Sequence, residues 1–143
     1  MSEAAAGEPL SSEDRKLVTL ARATRARIGA AQGAAVRDSD GRTYAAATVA
    51  LPSLELSAVQ AVVAMAVASG SVALDACVVL GATDASPDPS TGDASVLSSA
   101  DDAVLSDLAG AEGVLVHTGD VRGTIAVSRT LGPGSTGRPV SGA

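Results

Sequence analysis

Leu56-Ser57-Ala58-Val59-Gln60-Ala61-Val62-Val63-Ala64-Met65-Ala66-Val67-Ala68-Ser69-Gly70 decides how the rest of the chain is read. Between Ala58 and Ala68 the only polar side chain is Gln60. A helix apolar on every face is either a membrane span or the buried axis of a domain. Crossing a bilayer takes roughly 20 apolar residues, so this shorter run reads as a buried axis. Ser57 stands as N-cap with Gln60 at N3, a capping box in which each side chain satisfies a backbone donor of the first turn. Gly70 supplies the stop.

The chain flanking this helix is of a size for one domain: 143 residues, enough to bury a core without staples. Its hydrophobic share of 46% argues against general disorder. The single cysteine, Cys77, rules out an internal disulfide framework and suits a reducing compartment. The acidic start at Met1–Glu8 lacks the positive region of a secretory signal, so a cytoplasmic location is expected. A net charge of −6 speaks against broad nucleic-acid binding. Tyr44 is the only aromatic residue, which leaves one position at most for stacking on a base.

Upstream, a helix is expected from about Ser12 to Ile28, capped at Ser11 or Ser12, with Glu13 and Asp14 at its positive end and Gly29 as stop. Leu17, Ala21, Thr24 and Ile28 form its buried stripe. Arg15, Lys16, Arg22, Arg25 and Arg27 lie mostly on other faces, half of the ten basic residues. Arg15, Arg22 and Arg25 are candidate contacts for RNA or an acidic protein, against a plain solvated face. Ala34–Arg37 and Arg42–Val49 read as strands around Asp38-Ser39-Asp40-Gly41, where Asp-Gly signals a hairpin.

Downstream of the apolar helix, Asp75–Gly81 is a continuous apolar run, as expected of a strand covered on both faces. Cys77 within it reads as a small buried hydrophobe. Thr83–Ser95, with its prolines and aspartates, reads as a mobile loop. A further helix is expected from Ser99 to Ala109, with Ser98 and Asp101 forming a second capping box and Leu97, Val104, Leu105 and Leu108 its apolar face. Val114–His117 and Thr124–Ser128 read as two last strands. The order α-β-β-α-β-α-β-β predicts a mixed five-stranded sheet with helices on both faces, a three-layer α/β/α domain over residues 11–131, with flexible tails at 1–10 and 132–143.

This layout resembles the cytidine deaminase-like family, most closely in loop lengths the blasticidin S deaminase branch and the cytidine deaminase-like proteins of high-GC bacteria. Asp40-Gly41-Arg42-Thr43-Tyr44 resembles the family's first hairpin, and Ala58 leading to Val67-Ala68-Ser69-Gly70 its first motif helix. Val104-Leu105-Ser106-Asp107-Leu108 is similar to the helix after its second motif, and Arg129-Thr130-Leu131-Gly132-Pro133 to its closing Leu-Leu-Pro. The resemblance implies a zinc ion held by one Cys or His and two Cys, with a non-ligand Glu shuttling the proton. Carried over by position, the first ligand falls on Ser57 and the Glu on Val59. The Pro-Cys-x-x-Cys falls on Leu97, Ser98, Ser99, Ala100 and Asp101. The ribose-contacting Asn falls on Thr48, and the acidic residue two places on falls on Ala50.

Serine is a poor zinc ligand, and Val59 moves no proton. No zinc and no catalytic residue is therefore expected, with Ser57, Val59, Ser98 and Asp101 as degenerate positions and Thr48 and Ala50 as pocket remnants. The expected function is that of a pseudoenzyme: a binding, scaffold or regulatory module. One alternative is a divergent nucleoside deaminase with its metal moved to Asp101, Glu55 or His117; another is an RNA- or ribosome-associated factor. Glu55 otherwise reads as an exposed loop carboxylate, and Cys77 with His117 as a nominal thiol/imidazole pair. Relatives commonly assemble as dimers or tetramers, which implies a homo-oligomer, and no membrane partner is expected.

Overall fold

A computed structural model describes residues 10–82 and 97–133. The expected loop at Thr83–Ser95 and most of both expected tails lie outside the described residues. Helix α1 spans Ser12–Ile28, with Ser11 accepting from the Asp14 amide as N-cap and Gly29 as C-cap. Strands β1 (Gln32–Asp38) and β2 (Thr43–Ala47) follow as an antiparallel hairpin. Its turn is organised by Asp38, whose carboxylate accepts from the Asp40 and Arg42 amides. Gly41 takes the left-handed conformation there (φ 87°), which a residue without Cβ adopts freely.

The expected strand Arg42–Val49 is divided. After β2 the chain leaves the main sheet at Thr48 and forms a separate hairpin, β3 (Val49–Leu51) and β4 (Leu54–Leu56). This ribbon delivers the chain to α2 (Ala58–Ala68). Strand β5 (Leu74–Gly81), α3 (Ser99–Asp107), β6 (Val114–Gly119) and β7 (Ile125–Leu131) complete the order. The main sheet is five-stranded in the order β2-β1-β5-β6-β7, with only β5 and β6 parallel. This is the mixed α/β/α sheet expected of the pattern.

Side-chain alternation along the strands sorts the interior into two layers. Ala34, Val36, Cys77, Val79, Val114 and Val116 face α2 and α3, meeting Val59, Val62, Ala66 and Leu105. Ala35, Ala76, Val78 and Leu80 face α1 at Leu17 and Ala21. With so many small side chains the layers approach closely. A Cβ on Gly33 would lie 2.4 Å from the Ala21 carbonyl oxygen, so α1 packs on bare β1 backbone there.

Two expectations about helix faces are corrected. Helix α2 is not buried all round: Ala58, Val59, Ala61, Val62, Val63 and Ala66 are buried, while Ala64, Met65, Val67 and Ala68 face outward. It lies on the sheet with α3 at one flank, so one side has no cover within the described residues. In α1, Ile28 is 57% exposed and Asp14 takes a buried place on the stripe instead. Ile28 ends the helix, one residue before the chain turns away at Gly29.

Candidate functional site

The N-termini of α2 and α3 meet behind the sheet, and both are closed by capping boxes. Ser57 Oγ accepts from the Gln60 amide at 3.0 Å, while Gln60 Oε1 accepts from the Ser57 amide at 2.9 Å. Ser98 Oγ accepts from the Asp101 amide at 3.1 Å, and the Asp101 carboxylate receives the Ser98 amide at 3.4 Å. A third bond ties the two boxes together. Ser57 Oγ donates to Asp101 Oδ1 at 2.6 Å, a short charge-assisted bond across 44 residues of sequence. Asp101 is 2% exposed, so this carboxylate is held by the positive ends of two helices and the Ser57 hydroxyl.

Beside Ser57 opens a cavity of about 480 Å³, within the size range of small-molecule sites. Gln32, Thr48, Ala50, Glu55, Ser57 and Gln60 are among its lining residues. Thr48 and Ala50 line this cavity together with Ser57. Thr48 is committed to the fold: its Oγ1 accepts from the Gln32 amide at 3.0 Å and donates to the Gln32 carbonyl at 3.3 Å. Glu55 corrects the sequence reading. It sits on β4, not in a loop, directly across the ribbon from Ala50. A carboxylate therefore stands on the strand opposite the position where the resemblance implied one.

The zinc ion implied by the resemblance does not fit this donor set. Of Ser57, Ser98 and Asp101, only Asp101 carries a good zinc-ligating atom, and its Oδ1 is taken up by Ser57. Val59, where the resemblance implies the proton shuttle, is fully buried among hydrocarbon. Cys77 faces the same layer as Asp101, but burial first and the Asp101 charge second push its thiol far above the ordinary range, so it stays protonated.

The relocated site is not assembled either. His117 faces α1, on the side of the sheet opposite Asp101, Ser57 and the α2–α3 layer. Strand alternation likewise separates it from Cys77, whose parallel neighbour on β6 is Val116. Among the described residues no three His, Cys, Asp or Glu side chains are grouped to hold a metal. His117 instead joins a polar network that sequence reasoning missed. Its Nε2 meets Asp14 Oδ2 at 2.8 Å and its Nδ1 meets Ser128 Oγ at 2.7 Å, while Arg37 Nη1 donates to Asp14 Oδ1 at 3.0 Å. Burial pushes the Asp14 carboxyl up, but the bonds and charges of His117 and Arg37 outweigh it, and the group ends below the ordinary carboxylate value. Asp14 and His117 are 103 residues apart, so nothing local signalled their meeting.

On the outer side of α1, Arg15 and Arg22 are exposed, and Arg25 is half-buried, its enclosed Nε without a hydrogen-bond partner among the described residues. No helix among the described residues is long and apolar enough to cross a membrane.

Comparison with known proteins agrees with this architecture. The cytidine deaminase from Mycobacterium leprae superposes with a TM-score of 0.60 at 21% identity, covering 85% of this chain and 95% of that one. The enzyme from Burkholderia pseudomallei gives 0.63 at 19% identity, covering 85% and 94%. Cytidine deaminase from Mycobacterium tuberculosis gives 0.57 at 24%, covering 74% and 85%. At these identities the likeness speaks for the fold alone. No curated protein sequence matches the chain. The family model described as cytidine deaminase-like matches residues 10–123, most of the chain. The chain belongs to the cytidine deaminase-like family.

Proposed function

We propose that this protein is a non-catalytic member of its family, a module that binds a small neutral ligand in the cavity beside Ser57 without deaminating it. The observation that carries the reading is the 2.6 Å bond from Ser57 Oγ to Asp101 Oδ1. It joins the two helix N-termini at the place where the resemblance puts a metal. The two side chains satisfy each other, and neither is left to bind and activate a water. Deamination requires a hydroxide generated at neutral pH and a group to pass its proton. With Ser57, Val59, Ser98 and Asp101 at those positions, neither part is supplied.

The cavity remains, and its chemistry limits the ligand. Among the described residues Glu55 is the one charged side chain in its lining, and no Lys, Arg or His is among them. A carboxylate with amide and hydroxyl neighbours accepts hydrogen bonds from a neutral polyol, and repels phosphate and carboxylate. A nucleoside such as cytidine, the substrate by name of the structural relatives, meets these conditions. The test combines calorimetry and turnover. Cytidine is expected to bind with an affinity weakened by Glu55→Gln, to be outcompeted by no nucleoside monophosphate, and to be recovered unchanged after zinc supplementation. Deamination above a buffer control that chelator abolishes would overturn the reading.

A second reading concerns assembly. Met65 (42% exposed) and Val67 (53%), with Ala64 and Ala68, form a helix face with no charged residue. Such a face is favoured at a self-association surface. A homo-oligomer through α2 is expected by sedimentation, and Met65→Glu is expected to shift it to monomer.

A further inference from the structure

The network on the α1 side of the sheet has the connectivity of a nucleophile, a base and an orienting acid. Asp14 Oδ2, His117 Nε2, His117 Nδ1 and Ser128 Oγ follow one another at 2.8 Å and 2.7 Å on either side of the imidazole ring. Asp14 is an acceptor-only partner for Nε2 when ionised, so the mechanism uses the tautomer that carries the ring proton on Nε2. That tautomer leaves the Nδ1 lone pair facing the Ser128 hydroxyl. Arg37 bonds the other carboxylate oxygen, so Asp14 is locked from α1, β1 and β6 at once.

We propose that Ser128 is an activated nucleophile, and that this face carries out acyl transfer from small esters to water, independently of the cavity beside Ser57. Three placements support it. First, Asp14 and His117 are 4% and 3% exposed, whereas Ser128 is only partly buried, so the base is shielded and the serine lies nearer the surface than the base. Second, β7 is an edge strand. Every second N–H along an edge points away from the sheet, so either the Ser128 or the Arg129 amide is directed outward to meet a developing oxyanion. Third, Leu115 pairs with Thr130 one step of the alternation away from His117 and Ser128, on the same face. Leu115 is 36% exposed there, a shallow apolar rest for a short acyl chain.

The chemistry balances without any further reagent than water. Ser128 Oγ attacks the ester carbonyl carbon as its proton passes to His117 Nδ1. The bond to the leaving alcohol then breaks, and that alcohol takes the proton from Nδ1. Water attacks the acyl-Ser128 ester with its proton moving to Nδ1, and collapse releases the carboxylic acid and returns the proton to Ser128. The imidazolium formed in each half is stabilised by Asp14.

A fluorophosphonate probe tests this on the full-length chain. Here Oγ–P forms, P–F breaks, fluoride leaves and His117 receives the proton. The expected result is one phosphonyl group per chain by intact mass, mapped to Ser128, with p-nitrophenyl acetate hydrolysis lost in parallel. Ser128→Ala is expected to abolish both while staying folded, with a modestly lower Tm because the buried His117 Nδ1 loses its partner. Asp14→Asn and His117→Gln are expected to slow labelling by about 100-fold or more, the usual contribution of a positioned base. Cytidine binding is expected to be unchanged in Ser128→Ala, which separates this site from the cavity. No labelling of the native protein would overturn the proposal, as would labelling that persists in Ser128→Ala. Labelling at the wild-type rate in a folded His117→Gln or Asp14→Asn protein would overturn it as well.

Discussion

Removing the Ser57 hydroxyl perturbs the junction of α2 and α3 at its centre. Ser57→Ala deletes the acceptor for the Gln60 amide, a cap worth about 1 kcal/mol. It also deletes the hydroxyl that donates to Asp101 Oδ1, leaving a carboxylate that is 2% exposed short of that partner. A hydrogen bond to a charged group contributes about 1.5–3 kcal/mol. Together the loss is about 2.5–4 kcal/mol, or roughly 10 °C in Tm at about 3–4 °C per kcal/mol for a chain of this size. Urea unfolding of Ser57→Ala, Asp101→Ala and the double variant measures both the size and its origin. Because the single variants remove the same bond, the double variant is expected to fall short of their sum by about 1.5 kcal/mol or more. A Ser57→Ala loss under about 0.5 kcal/mol, or a double variant that is simply additive, would refute the view that this bond joins the helices.

Three further outcomes follow from the same geometry. Placing thiolates at the three carried-over ligand positions, with Ser57→Cys, Ser98→Cys and Asp101→Cys, is expected to bind about one zinc per chain by metal analysis and to make Tm sensitive to chelator, whereas the parent Tm is not; a graft that takes up no metal would show that the two helix ends are not spaced for it. Asp14 and Asp38 are both held below their ordinary values, Asp38 against burial by bonds from Ser71, Arg42 and Asp40. A depressed folded pKa contributes stability above the unfolded value of about 3.9 and loses it as pH falls toward the folded one, so the urea midpoint is expected to drop below about pH 4, and less steeply in Asp14→Asn and Asp38→Asn. Gly33→Ala forces a Cβ to 2.4 Å from the Ala21 carbonyl oxygen and is expected to destabilise by about 1–3 kcal/mol through overpacking, seen as a lower Tm.

What the sequence discloses depends on how far apart the interacting residues lie. Both capping boxes were legible because their partners are three residues apart, and α1 could be bounded at Ser12 and Ile28 from its cap and stop. The β3–β4 ribbon was not, since strands of three residues are too short for alternation to rise above noise. The open side of α2 was hidden for a different reason. A run of Ala, Val and Met has almost no polar face, so nothing in it says which side meets the sheet; only the packing of β1, β2 and α3 decides. Ser57 with Asp101, and Asp14 with His117, meet across 44 and 103 residues and were invisible by construction.

These long-range pairs are where the chain differs chemically from what its frame implies. Nothing in the capping-box pattern requires Asp101 to face Ser57; asparagine or glutamate at N3 would cap α3 comparably. A carboxylate whose two oxygens divide between its own helix and the neighbouring one closes a gap that two independent caps would leave open. The side chains that join α2 and α3 are the ones standing where the resemblance implies metal ligands, and placing zinc ligands there must first give up the bond that Ser57 and Asp101 now make.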